Sequence, residues 1–207
     1  MKLKKKFKRL LIVLILIGIA VGSYFVYMGY FNKEEVKATK VVSKIDKYGY
    51  VLKDSKPTKY KDMFYELKDI LEAKTVDEDK YLRKITEMFI YDFYSLKDKT
   101  AKTDVGGVDF VYSEVLENYL QNAQDTYYKY VESNIYNNRK QKLPEVGDIK
   151  VTDVSTEAFK YGDKEDEKAY KVSVNWSYTD ESFTDYQKEA VLIFIHDDIK
   201  LSLVELQ

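Results

Sequence analysis

The 207-residue chain contains no cysteine, and that absence excludes several things at once. No disulfide can hold the fold, so a hydrophobic core must do it. No thiol nucleophile exists, and no lipid-bearing cysteine can follow the apolar N-terminal run, which leaves membrane attachment to a helix. Histidine is almost as scarce: His196 stands alone, whereas a zinc site needs several spaced ligands. Two prolines and eight glycines, set against 45% hydrophobic and 15% aromatic residues, argue for a folded domain and against a disordered stalk. Internal repeats and low-complexity tracts are missing, as are a P-loop, a GxGxxG loop and a histidine beside a convincing serine motif.

One long apolar run is present, "LLIVLILIGIAVGSYFVYMGYF" from Leu10 to Phe31. "AVG" ending at Gly22 is a passable small-x-small cleavage site, so release as a secreted protein is one reading. The run continues past it without a charge, however, and its full length makes a helix of about 33 Å, enough for a hydrocarbon core of about 30 Å. The tyrosines and Phe31 lie where interfacial aromatics are expected. A retained single-pass anchor in the lipid bilayer is the better reading. Lys2, Lys4, Lys5, Lys6, Lys8 and Arg9 precede it with no acidic residue among them, which keeps residues 1–9 cytoplasmic and sends the C-terminal part outside the cell membrane. Setting those six aside leaves 28 basic against 35 acidic residues, a net charge of −7 for the outer part. That balance speaks against nucleic acid as a partner.

Residues 32–40, "NKEEVKATK", read as a short charged linker, and residues 41–207 as one extracytoplasmic domain. Its lead-in, 41–75, opens with period-two alternation at Tyr48, Tyr50 and Leu52, a short strand. Tyr60, Met63, Phe64, Leu67, Ile70 and Leu71 then form one helical stripe behind Pro57. In "TVDEDKYLRKITEMFIYDFYSL", Thr75 and Glu78 have capping-box spacing, and Tyr81, Ile85, Met88, Phe89 and Leu96 mark a second apolar face. Leu116, Tyr119, Leu120, Ala123, Tyr127, Tyr130 and Val131 mark a third helical stretch, as one helix or two, weakest at residues 122–125. Beyond Leu143 the period becomes two. "DIKVTDVSTEAFKY", "AYKVSVNWSY", "EAVLIFIH" and "IKLSLVELQ" give a four-stranded meander with Trp176, Val172, Val174 and Phe194 on the face that the helices cover. The expected class is α+β: an N-terminal transmembrane helix, then two to three helices packed on a curved four-stranded antiparallel sheet.

That element order on one N-terminal transmembrane helix resembles the NTF2-like (cystatin-like) outer domains of VirB8-type conjugation proteins. With "YGYVL", an "ELK" helix and "DVGG" before "FV", the chain also resembles a group of uncharacterised membrane-anchored proteins of Gram-positive type bacteria. The resemblance covers residues 76–207 as an NTF2-like core and supplies no catalytic motif. It implies a domain that assembles with itself or with other envelope proteins.

Several residues invite a sharper reading. His196 with Asp197 and Asp198 suggests a metal, though a hairpin turn explains "HDD" more simply. The acidic run Asp163 to Glu167 lacks the ligand alternation of a calcium loop and reads as a solvated turn. Gly106 and Gly107 fit a tight connection better than a phosphate nest. Asp92 and Asp109 would serve a glycosidase only if they lay within about 10 Å of each other, and no spacing in the chain demands that. The NTF2-like cone implies a mouth that Tyr91, Tyr94, Tyr127, Tyr128 and Tyr130 would line to hold a glycan or peptide. Against this, twenty tyrosines make clusters expected in core and surface alike. No catalytic residue, cofactor or metal is therefore assigned. A structural or assembly module of the cell envelope ranks first, a pocket-bearing ligand-binding domain second and a hydrolase last.

Overall fold

The meander expected at the C-terminus is present in the computed structural model, which describes Gly18, residues 21–23 and residues 39–207. The tail 1–9 and most of the anchor 10–31 and linker 32–40 lie outside the described residues. Among the described residues no helix is long and apolar enough to cross a membrane.

Strands β1 (Val41–Ile45) and β2 (Tyr50–Lys53) form an antiparallel hairpin. Only one strand was expected here. Tyr48 belongs to the connecting 3-10 turn Asp46–Tyr48, which ends on Gly49 at φ 69°, a left-handed conformation that a side chain resists. Helix α1 (Thr58–Leu71) follows Pro57 and buries Tyr60, Met63, Phe64, Leu67 and Leu71, with Ile70 half-buried. Helix α2 (Glu78–Tyr94) is capped by Asp77, whose carboxylate accepts the Lys80 N–H at 3.1 Å. The Thr75–Glu78 capping box does not form, because the nearer aspartate is the stronger cap and Glu78 is engaged elsewhere. From Met88 to Leu96 every side chain is buried, so α2 is covered on all sides as it ends. Helix α3 (Leu116–Asp125) stops within the stretch that the sequence marks as weak, and Tyr127 and Tyr130 lie beyond it.

The sheet runs β3 (Val146–Tyr161), β4 (Lys164–Tyr178), β5 (Glu189–Asp197) and β6 (Lys200–Leu206) in sequential antiparallel order. Register shifts at three points in β3 against β4 add the local twist that bulges bring. Val172, Val174, Trp176, Leu192 and Phe194 join the main core with the helices. Strand β5 is buried on both faces: Ile193 and Ile195 belong to a second cluster with Tyr112 and Ala169 on the opposite side. Residues Thr39–Gln207 make one compact unit.

Candidate functional site

A cavity of about 860 Å³ opens between α3 and β6. Its floor is aromatic: Phe93 and Tyr94 from the end of α2, Tyr119 from α3 and Tyr127 from the turn that follows. These rings brace one another, with Phe93 and Tyr127 stacked at 5.7 Å and Tyr94 meeting Tyr127 edge-on at 5.0 Å. Tyr94 also lies 4.3 Å from Trp176, which ties the floor to the sheet. The polar lining is amide-rich, with Asn118, Asn122, Gln187 and Gln207, and Glu205 is the one charged lining residue. Burial pushes the phenols of Tyr94 and Tyr127 far above the ordinary value, so both stay neutral. The Tyr178 hydroxyl donates to the Gln187 carbonyl at 2.8 Å, which leaves Tyr127 to donate to the Tyr178 oxygen at 3.1 Å.

Of the five tyrosines expected at a mouth, Tyr94 and Tyr127 line this cavity. Tyr91 is buried outside the lining, beneath the Lys59 ammonium at 5.4 Å, and burial raises its phenol to about 12. Tyr128 is a fully buried strut that accepts the Gly106 N–H at 3.0 Å and donates to the Phe93 carbonyl at 2.6 Å. Tyr130 is 77% exposed. Helical spacing puts Tyr127 and Tyr130 on one face of one helix or two, and the break after Asp125 sends them to different places. Phe93, Tyr119 and the whole length of Leu203–Gln207 were not anticipated as lining. Tyr119 shares a helix face with Ala123, which was a usable signal. The placement of β6 across the cavity from α3 is set by long-range packing and leaves no local signal.

Asp92 sits beside this floor and is saturated. Its Oδ1 accepts Lys56 at 2.6 Å and Lys99 at 2.8 Å, while Oδ2 accepts Lys56 at 2.7 Å and the Gly107 N–H at 2.8 Å. Burial alone would raise this carboxyl, but the two ammoniums and their hydrogen bonds hold it far below the ordinary range. Four accepted bonds use all of a carboxylate's lone-pair sites, so Asp92 cannot face a substrate as general acid or base. Asp109 keeps an exposed side chain, yet the protein packed around it raises its carboxyl; Lys56 opposes this and the Asp92 charge adds to it. The two aspartates are thus electrostatic neighbours without the form of a hydrolytic pair.

The glycine pair is explained by the same cluster. A Cβ on Gly106 would lie 1.9 Å from the Asp92 carbonyl oxygen, and one on Gly107, at φ 75°, would lie 2.6 Å from the Phe89 ring. Tyr119 donates to the Gly106 carbonyl at 2.7 Å. Close packing therefore requires both glycines.

His196 and Asp197 are the last two residues of β5, and of the "HDD" read as a hairpin turn only Asp198 lies in the turn, at φ 56°. The partners of His196 are remote in sequence: Nδ1 lies 2.8 Å from Asp166 and Nε2 lies 3.1 Å from Glu78. The Tyr170 hydroxyl donates to the same Glu78 oxygen at 2.5 Å. The carboxylates occupy opposite nitrogens of the ring, so they cannot converge on one ion; among the described residues no group of three or more acidic, histidine or cysteine side chains is arranged to hold a metal. The acidic run is also not one solvated turn. Only Gly162 and Asp163 turn, residues 164–167 belong to β4, and Asp166 is half-buried against His196.

Comparison of the chain with protein-family models, with curated proteins and with solved structures finds no match.

Proposed function

We propose that this chain is a single-pass, membrane-anchored protein whose extracytoplasmic domain is a non-catalytic binding module of the cell envelope, holding a glycan or a peptide segment in the cavity between α3 and β6. The observation that carries this reading is the cavity itself: an aromatic floor rimmed by amides is the usual composition of a site for a neutral, partly apolar ligand. The uninterrupted run from Leu10 to Phe31 and its six leading basic residues support the anchor and its orientation. A photo-crosslinking side chain placed at position 122, on the cavity rim, should capture a specific adduct in intact cells, and the same side chain at exposed position 157 should not. Equal capture at both positions would remove the cavity as the working site.

Assembly with other envelope proteins or with a second copy is a further reading, favoured by β3. This strand is sixteen residues long, and its side away from β4 pairs with no other strand among the described residues. Unpaired edges are templates for association. Sedimentation of the full chain in detergent over a range of concentrations would reveal self-association, and a single monomeric species throughout would exclude the self-pairing form.

A further inference from the structure

The cavity wall formed by β6 is an open strand edge. Val191 and Gln207 exchange both backbone hydrogen bonds, N to O at 3.0 Å and 2.9 Å. The adjacent pair, Leu206 opposite Leu192, is therefore the non-bonded kind, and the Leu206 N–H and C=O point away from β5. Further up on that same outer side, the Tyr81 hydroxyl accepts the Leu201 N–H at 3.2 Å, and the Leu203 carbonyl accepts the Tyr112 N–H at 2.8 Å. Val111 opposite Leu203 is a parallel bridge, the first step of a fifth strand. It goes no further, because the chain turns off the edge in the 3-10 turn Ser113–Val115. Among the described residues no backbone bond is made on the outer side of β6 from Val204 to Leu206, and the cavity lies along that length.

We infer that the occupant of the cavity is an extended, non-acidic peptide segment, bound as an added strand on β6 in the register that Val111 begins. This rests on the cavity being the binding site and names what it binds. The Leu206 N–H and C=O form a paired backbone donor and acceptor in line with the Leu203 carbonyl already bonded by Tyr112, a pairing that an extended peptide matches and a sugar ring does not. Alternate side chains of an added strand point to opposite faces, so one set would meet the aromatic floor at Phe93, Tyr94 and Tyr127. The lining contains Glu205 and no lysine or arginine, so a neutral or basic segment complements it and an acidic one does not.

The test uses the full 207-residue chain in detergent micelles, a bead-bound library of acetylated, amidated heptapeptides, and chitohexaose as the glycan probe. Readouts are hydrogen exchange at the Leu206 amide and the fluorescence of Trp176, the chain's one tryptophan, which packs on the cavity floor through Tyr94. Enriched peptides should be non-acidic with a central apolar residue, should slow Leu206 exchange, and should bind at least tenfold more weakly when alternate amides are N-methylated. Glu205→Lys should shift enrichment toward acidic peptides. Enriched peptides indifferent to N-methylation would overturn strand addition, as would protection of Leu206 that grows with protein concentration alone, since the occupant would then be a second copy. A response to chitohexaose only would overturn the peptide and leave the cavity reading standing. No response of either readout to any probe would overturn both.

Discussion

Replacing Asp92 by alanine tests the reasoning most severely. The substitution removes four accepted hydrogen bonds and leaves Lys99, whose side chain is 7% exposed, as a buried ammonium without its partner. Breaking one side of a buried ion pair costs about 3–5 kcal/mol, and the orphaned Gly107 N–H is part of that loss. Against a total on the order of 5–15 kcal/mol for a domain, this is a large fraction. Urea unfolding followed by Trp176 fluorescence measures it directly. The double variant Asp92→Ala, Lys99→Met should recover at least about 1 kcal/mol of the loss, because the stranded charge is gone. The sign with pH is fixed by direction: Asp92 titrates far below its ordinary value of 3.8. Its stabilisation is therefore complete above the unfolded-state value and is lost as pH falls from there through the folded value. The wild type should weaken in acid more steeply than the variant. A single variant losing under about 1 kcal/mol, or a double variant no better than the single, would refute a stabilising role for the contacts that Asp92 makes with Lys99 and Gly107.

Three further outcomes follow. Gly106→Ala, whose Cβ would sit 1.9 Å from the Asp92 carbonyl oxygen, should cost about 1–3 kcal/mol or more by urea titration, and a neutral result would contradict the close approach of Gly106 to α2. Trp176→Ala should cost about 3–5 kcal/mol, and the wild-type emission should be that of a buried indole and shift to the red on unfolding; emission unchanged on unfolding would contradict its burial at 5% exposure. Burial lowers the His196 value, but hydrogen bonds to Asp166 and Glu78 overcome this and raise it above its ordinary 6.5. The His196 contact is thus fully present below the unfolded value and is lost as pH rises through the folded one. Proton NMR of the ring should show a raised midpoint that Asp166→Asn brings down, and a midpoint indifferent to that change would deny the contact.

Patterns repeated along one element are legible in the sequence. The stripe Tyr60, Met63, Phe64, Leu67 and Leu71, the alternation Val172, Val174, Trp176 and the two-sided apolar run of β5 each record their burial locally. Long-range meetings were not legible. Nothing near Asp166 announces His196, thirty positions on, and nothing near Asp92 announces Lys56, thirty-six positions before it. The site failed in sequence for a related reason. Tyr91, Tyr94, Tyr127, Tyr128 and Tyr130 share a residue type but not a destination, because two neighbours on a turn point into core and cavity by turns. Composition identifies the material of a pocket, whereas its location depends on where β6 lands.

The buried charge cluster also works as a sequence signature. Lys99 reaches Asp92 across six residues, the glycine pair follows after six more with Gly107 donating to the same carboxylate, and neither glycine position has room for a Cβ. Each member is required by a contact: the aspartate to accept, the lysine to neutralise it, the glycines to let the backbone approach. Chains that share this arrangement are therefore expected to carry Asp-x6-Lys-x6-Gly-Gly within the helix and loop before α3, with a lysine ahead of α1, even where the remaining residues have diverged beyond alignment.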